Sequence, residues 1–420
     1  MATGTDIGIV GGGVSAFHLG LTLVTKGVGA TIYAPQSAAQ LANGRMQNTV
    51  AHMPDTVRRE RELGVDFWPE DNVRTCRVRH YSLRVGKGQA LDFHGELNGE
   101  ERCIDYRLYL PRMMDEFERR GGRIVHQHTA PERLEAFYEQ HALLAIASGK
   151  SHIGFADLFP RIDELSQHTN PPRVLCVGLF TGVADSSPVG VTVGISPGHG
   201  EIVVLPMETA EGPLMALLFE NRPEGDLADL PKLNYTEDPI AFEARILAAL
   251  EEHYPSVYAR VDRNQFALAG KQNLLQGGFT PTTRESWAEI SDGKFAIAIG
   301  DLRCTQDPLT GQGANLASRG ACMLGDMIVG SEKIFDRAFC EAYEQSMRYK
   351  VAGTVGFNNA MLEPAPHTQQ LLGVMAENKD VCTDFSTRFA APDTIWFDIL
   401  KNAKTCKAYL EGFGVAEAVG

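Results

Sequence analysis

Residues 6–20 read DIGIVGGGVSAFHLG. A short apolar run enters Gly11, Gly12 and Gly13 directly, and Ala16 and Gly20 follow on a helix. This is a G-x-G-x-x-A pattern between a strand and a helix. Its glycines allow a tight turn and let backbone approach a pyrophosphate. A second run, ATIYA at residues 30–34, follows at the spacing of a βαβ unit. The chain therefore opens as a dinucleotide-binding unit, with Gly11, Gly13, Val14, Ser15 and Ala16 expected around the pyrophosphate. The second strand ends in Tyr33, Ala34, Pro35 and Gln36. The acidic residue that usually holds the adenosine ribose is missing there. Looser cofactor binding, or a substitute contact from elsewhere, is expected.

A second stretch, residues 295–321, reads FAIAIGDLRCTQDPLTGQGANLASRGA. FAIAIG suits a buried parallel strand, and Asp301 sits at its end. A loop through Pro308, Gly311 and Gly313 opens into a helix expected to begin near Asn315. Ligands bind at the carboxyl ends of strands in such folds. A helix amino terminus there offers free N–H groups and partial positive charge. Asp301 is expected to hold a polyol such as ribitol. Backbone N–H groups of the loop that starts at Pro308 and runs to Asn315, including those of Gly311, Gln312, Gly313 and Ala314, are expected to face an electron-rich ring. That combination suits a flavin. The two motifs must share one cofactor although roughly 280 residues separate them, so the cofactor domain is discontinuous.

Residues between the motifs follow a readable order. Arg45 precedes Asn48, Val50 and His52, which would share one face of an extended segment and wall a pocket. Residues 80–93 read as a β-hairpin around Gly86 and Gly88. Residues 105–120 read as a helix stopped by Gly121 and Gly122, where Arg107 is a candidate phosphate contact. Residues 142–149 (ALLAIASG) read as a parallel strand passing the adenosine side of the cofactor. Strand-like runs dominate residues 172–290, which predicts a mixed or antiparallel sheet domain. The remainder is mostly helical. The expected divisions are 1–75, 101–170 and 291–332 for the cofactor domain, 76–100 and 171–290 for the sheet domain, and 333–420 for a helical region.

With 420 residues and a net charge of −14, the chain has ample core and disfavours nucleic acid or anionic membrane as its main partner. No apolar stretch approaches the ~20 residues of a membrane span, and no signal peptide is evident. The eight cysteines show no metal-ligand spacing. Reduced thiols in a cytoplasmic protein, with no metal, are expected.

The chain resembles the oxygenase (epoxidase) components of the styrene and indole monooxygenases. The resemblance rests on GIVGGG, residues 48–52 (NTVAH), 105–109 (DYRLY), 175–180 (LCVGLF), 196–201 (SPGHGE), 275–278 (LQGG), and Gly300-Asp301 with Asp307-Pro308 and residues 311–315 (GQGAN). These pieces run in order over about 320 residues. The resemblance implies an α/β, glutathione-reductase-type (Rossmann-like) FAD domain with an inserted β-sheet substrate domain and a helical C-terminal region. It also implies reduced FAD as an exchangeable co-substrate, made by a separate NADH-dependent flavin reductase. A flavin C4a-hydroperoxide formed with O2 then delivers one oxygen atom to styrene or a related small aromatic alkene. Asn48, Val50 and His52, with His80, are similar to the styrene-type pocket, and these four are the implied catalytic residues. The neighbourhood departs from the family at Arg77 and Arg79, which replace an aromatic and a small residue, and at Glu101, where Ser is usual.

A single dinucleotide fingerprint leaves no recognisable nicotinamide site, in keeping with an external reductase. Four alternatives are weighed against this, one of them a non-catalytic flavin-binding or interaction protein that would bind FAD and give no oxygen-dependent product. Indole or sulfide oxidation would keep the class. A single-component NAD(P)H-dependent hydroxylase would need no reductase. The W-x-W-x-I-P signature of a flavin halogenase is absent, since Trp68, Trp287 and Trp396 are isolated. A homodimer is the expected assembly.

Overall fold

All four residues of Ile7–Val10 are buried. This strand pairs in parallel with Ala30–Ala34 on one side and Leu143–Ile146 on the other. Lys294–Ala298 adds in parallel beyond Leu143–Ile146, Trp287–Ser291 closes that edge antiparallel, and Arg123–His126 closes the other in parallel. The computed structural model describes residues 6–68, 73–150, 154–332 and 334–415.

Alternation along these strands sends side chains to opposite faces. Ile7, Ile9, Ile32 and Ile297 pack against helices Val14–Thr25, Tyr106–Arg119, Gly313–Gly330 and Arg337–Leu362. Val10, Tyr33, Leu144 and Ala296 meet a second layer containing Phe137, Phe155 and Phe159. Apolar runs without polar alternation are what a sheet covered on both faces requires.

The second sheet has eight strands. Its main path runs Ala267–Leu268, Val174–Thr181, Gly212–Asn221, Gly200–Thr209, Gly190–Ser196, Cys76–Gly86 and Gln89–Glu101, with Leu274–Gly277 also on Val174–Thr181. All pairings are antiparallel except that of Cys76–Gly86 with Gly190–Ser196. The hairpin of residues 76–101 is thus an edge of the inserted sheet. Trp287–Ser291 belongs to the first sheet, so the expected division at 290 falls inside a strand. Helix Pro239–His253 covers one face of the inserted sheet. The C-terminal helices pack on Tyr81, Phe93 and Val193. Among the described residues, no helix is long and apolar enough to cross a membrane.

One buried side chain joins the two halves of the cofactor domain. Asn315 Oδ1 accepts from Met53 N (2.9 Å) and Thr56 Oγ1 (2.7 Å), while its Nδ2 donates to Ala51 O (3.0 Å) and Gly311 O (2.9 Å). Every polar site of the amide is used, which holds residues 51–56 against the start of helix Gly313–Gly330. Leaving such buried groups unpaired costs about 1–3 kcal/mol each. Asn315→Ala is expected to lower stability by about 2–4 kcal/mol, read as a lower urea midpoint at unchanged slope. An unchanged midpoint would mean that packing alone holds this junction.

Candidate functional site

The carboxyl ends of Ile7–Val10, Leu143–Ile146 and Lys294–Ala298 open on one cavity of about 810 Å³. The two glycine-containing motifs meet at its floor. Gly11 has φ +135°, and a Cβ there would lie 2.1 Å from Ala147 O. Gly300 has φ +65°, and a Cβ there would lie 2.6 Å from Ser15 Oγ. Neither position accepts a larger residue, because only glycine takes these backbone angles without strain. At Gly13 a Cβ would meet nothing within 4 Å, so the backbone there faces open space.

Gly11, Gly13, Val14, Ser15, Asn48, Val50, Asp301, Pro308, Gly311, Gly313 and Ala314 all line this cavity. Burial pushes the Asp301 carboxyl above the usual carboxylate range, and Lys150, also on the wall, pulls it back. Among the described residues, three buried oxygens on the wall have no hydrogen-bond partner: Asn48 Oδ1, Thr129 Oγ1 and Ser148 Oγ. Orphaned groups of this kind ask for a bound partner. At the end of the second strand the wall carries the amides Gln36 and Gln127 in place of a carboxylate.

Other expected contacts lie elsewhere. Ala16 is fully buried and packs the first helix on the sheet. Arg45 Nε and Nη2 donate to Leu274 O (3.0 and 2.6 Å), tying the first βαβ unit to the inserted sheet. The Arg107 guanidinium is taken by Asp105 Oδ2 (2.5 Å) and Asn273 Oδ1 (2.6 Å). Gln312 is buried and donates to Phe389 O (3.0 Å). Asn315 is the amide clamp described above. His80, on the hairpin, has Nε2 2.8 Å from Pro188 O, and burial lowers its pKa. None of these six lines the cavity. Arginines and amides are short of partners inside a fold, so nearby carbonyls and carboxylates claim them before a ligand does.

His52 also turns away. Residues 45–51 join no sheet, and Asn48, Thr49 and Val50 all reach the wall. His52 forms an isolated bridge with Arg102 and points into the core. Its Nδ1 lies 2.7 Å from Glu60 Oε1 and its Nε2 lies 3.0 Å from Tyr106 OH. Tyr109 OH donates to the same Glu60 oxygen (2.7 Å), His18 Nε2 meets Tyr109 OH (2.7 Å), and His18 Nδ1 meets Ser318 Oγ (2.8 Å). Burial opposes ionisation of Glu60, yet His52 and His18 together hold its carboxyl well below the usual range. Burial lowers the pKa of His18.

Sequence reasoning passed over Tyr106, Lys150 and Phe279, which line the cavity, the last two in contact with Lys150 Nζ 3.8 Å above the Phe279 ring. The apolar wall is completed by Leu175, Val177, Leu218 and Leu275 of the inserted sheet. A signal was available for several of these, since Tyr106, Leu175 and Leu275 stand in the motif segments already singled out. The departures at Arg79 and Glu101 are one change: the two form a buried ion pair, and the Arg79 guanidinium lies 3.8 Å over the Phe389 ring. Arg77 Nη2 lies 3.4 Å from Glu100 Oε2. None of these residues lines the cavity.

Residues 149–260 match a family model described as "Styrene monooxygenase A putative substrate binding domain". Styrene monooxygenase StyA of Pseudomonas fluorescens is 36% identical over 395 residues, covering 93% of this chain and 94% of the relative. StyA of a second Pseudomonas is equally similar, with 36% identity over 93% of this chain and 94% of its own length. Among solved structures, a flavoprotein/dehydrogenase from Cytophaga hutchinsonii superposes with a TM-score of 0.68, covering 99% of this chain and 98% of its own at 13% identity. That likeness carries the fold. With relatives of this identity aligned along nearly its whole length, and with the two FAD-type motifs joined at one cavity, the chain belongs to the styrene monooxygenase family.

Proposed function

We propose that the chain is the oxygenase component of a two-component monooxygenase that epoxidises styrene or a related aryl alkene. The observation that carries this reading is the single cavity, in which a glycine-lined strand edge and an apolar wall from the inserted sheet face one another. The site fits FAD on three grounds. Gly11 and Gly13 offer backbone where a side chain would obstruct. Asp301 stands at a strand end, suited to hydroxyl groups of a ribitol chain. The unpartnered Asn48, Thr129 and Ser148 oxygens await donors.

Gly11, Gly13, Val14 and Ser15 would hold the pyrophosphate, and Asp301 the ribitol. Backbone at Gly311, Gly313 and Ala314 would face the ring. Gln36 and Gln127 would serve the adenosine ribose in place of the missing carboxylate, a weaker hold that suits a cofactor exchanged with a separate NADH-dependent reductase. Reduced FAD supplies the electrons that activate O2 for transfer of one oxygen atom. The protein's own part is to position the alkene and exclude water. Val50, Leu175, Val177, Leu218 and Leu275 form a surface for a flat apolar ring, and Asn48 sets its polar margin. The reading takes the chain to be cytoplasmic and homodimeric.

Asp301→Ala is expected to weaken FAD binding at least tenfold, measured by fluorescence quenching; unchanged affinity would remove Asp301 from the site. Purified chain supplied with FAD, NADH and an unrelated flavin reductase in air is expected to convert styrene to its oxide, and to form none without the reductase. Product in the reductase-free control would instead indicate a self-sufficient hydroxylase.

A further inference from the structure

Tyr106 is the one member of the buried network of His18, His52, Glu60, Tyr106, Tyr109 and Ser318 that also lines the cavity. Hydrogen bookkeeping along this network is constrained. Glu60 Oε1 is an acceptor and already takes the Tyr109 hydroxyl proton, so the 2.7 Å contact from His52 Nδ1 requires a proton on Nδ1. In neutral His52, Nε2 is then bare, and the only role left to Tyr106 OH, 3.0 Å away, is to donate inward. When His52 takes up a second proton, Nε2–H donates to the phenol oxygen. The Tyr106 hydrogen is then no longer taken by His52, on a residue that lines the cavity.

We infer that Tyr106 is a catalytic residue that delivers a proton into the cavity, with His52 and Glu60 as the residues that position and recharge it. This inference rests on the monooxygenase reading, in which one atom of O2 ends as water and an oxygen anion in the cavity must be protonated. The step balances. The Tyr106 O–H bond breaks as an O–H bond forms on the cavity oxygen. The His52 Nε2–H bond breaks as the phenol O–H is remade. The imidazolium becomes neutral imidazole and the oxygen anion becomes hydroxyl. Glu60, ionised and out of solvent, stabilises the imidazolium and keeps the Nδ1 tautomer, the orienting role a buried carboxylate plays behind any acid–base histidine.

The surroundings favour this assignment from each side. Helix Pro54–Glu62 contributes Glu60 and, just before it, Arg59, whose guanidinium is held by Asp55 and Thr56 and reaches Ser318 Oγ at 3.5 Å. Helix Val14–Thr25 contributes His18, and helix Tyr106–Arg119 contributes Tyr106 and Tyr109, the latter edge-on to His52 with ring centroids 5.0 Å apart. Arg102 bridges the His52 backbone but turns its guanidinium to Glu100 (2.9 Å) and to Asp66. Burial first, and then the nearby carboxyls of Glu60 and Asp301, raise the Tyr106 pKa, so the phenol keeps its proton until an acceptor is presented. His52 is thus paired with one carboxylate, and its second nitrogen has one partner, the phenol.

The test uses the full chain and three variants, Tyr106→Phe, His52→Gln and Glu60→Gln. Nitrogen-15 NMR of labelled histidine, with His52 assigned by its loss in H52Q, reads the tautomer without any turnover. Wild type is expected to show Nδ1–H with bare Nε2, to gain Nε2–H on acidification, and to shift at Nε2 in Y106F. In parallel, oxidised product formed per reduced FAD consumed is followed against pH with styrene. The wild-type yield should fall as pH rises. Y106F should give at least a tenfold lower yield, with the balance as hydrogen peroxide and no pH limb, while binding FAD within threefold of wild type. H52Q and E60Q should flatten or displace the limb. A bare Nδ1 with Nε2–H, or a Y106F enzyme with the wild-type yield and pH profile, would overturn the inference. If wild type oxidises no substrate, the monooxygenase reading fails, and the NMR arm still decides whether Tyr106 and His52 are coupled.

Discussion

The arrangement depends on three parallel strands held in register. Val10 pairs with Ile146, and Ile146 pairs with Ala298. With these ends level, Gly11, Ala147 and Gly300 arrive at one edge although they are far apart in the chain. The close approach of Gly11 to Ala147 O and of Gly300 to Ser15 Oγ then follows. Parallel pairing over such distances carries a loop-closure cost, which rises only slowly with length. Burial of the strands on both faces offsets it. The inserted sheet is tolerated for the same reason, since its own core of Phe180, Phe219, Ile246 and Leu250 supports it.

The cavity is a joint product of two sheets. One supplies backbone and the Asp301 carboxyl to the cavity lining. The other supplies Leu175, Val177 and Leu218, an apolar wall. Arg45 to Leu274 O and Arg107 to Asn273 link the two across the boundary. These arginines therefore shape the site by fixing the relative position of its halves, without reaching into it. The buried Arg79–Glu101 pair joins the two strands of the hairpin, and the Arg79 guanidinium over the Phe389 ring ties that hairpin to the C-terminal region. An isolated charge in either place would be costly, and together they leave the cavity wall untouched.

Much of the strand edge that lines the cavity was legible in the sequence because local chemistry dictates it. Gly11 and Gly300 adopt positive φ, Asp301 stands at a strand end, and residues 308–312 precede a helix that begins at Gly313, two residues before the expected start near Asn315. Each is a backbone demand that a short window of residues reveals. The pocket wall was legible only in part. Alternation placed Asn48, Val50 and His52 together, but the segment joins no sheet, and the bridge to Arg102 turns His52 inward to Glu60. Tyr106 and Arg107 are neighbours in one motif. Charge pointed to Arg107, yet Asp105 at the helix cap and Asn273 from the inserted sheet claim its guanidinium, and Tyr106 faces the cavity. Gln312 and Asn315 stand at the start of helix Gly313–Gly330, yet their side chains are spent on Phe389 and on residues 51–56.

The sequence by itself determined the strand–glycine–helix opening, the late strand with its acidic end, and the helices and hairpins between, because hydrophobic period and glycine conformation are local properties. Only the tertiary structure decided which polar side chains remain free for a ligand. Each buried donor or acceptor must find a partner somewhere in the fold. His52, Arg107 and Asn315 find theirs in residues distant in sequence, whereas Asn48, Thr129, Ser148 and Asp301 are left facing the cavity.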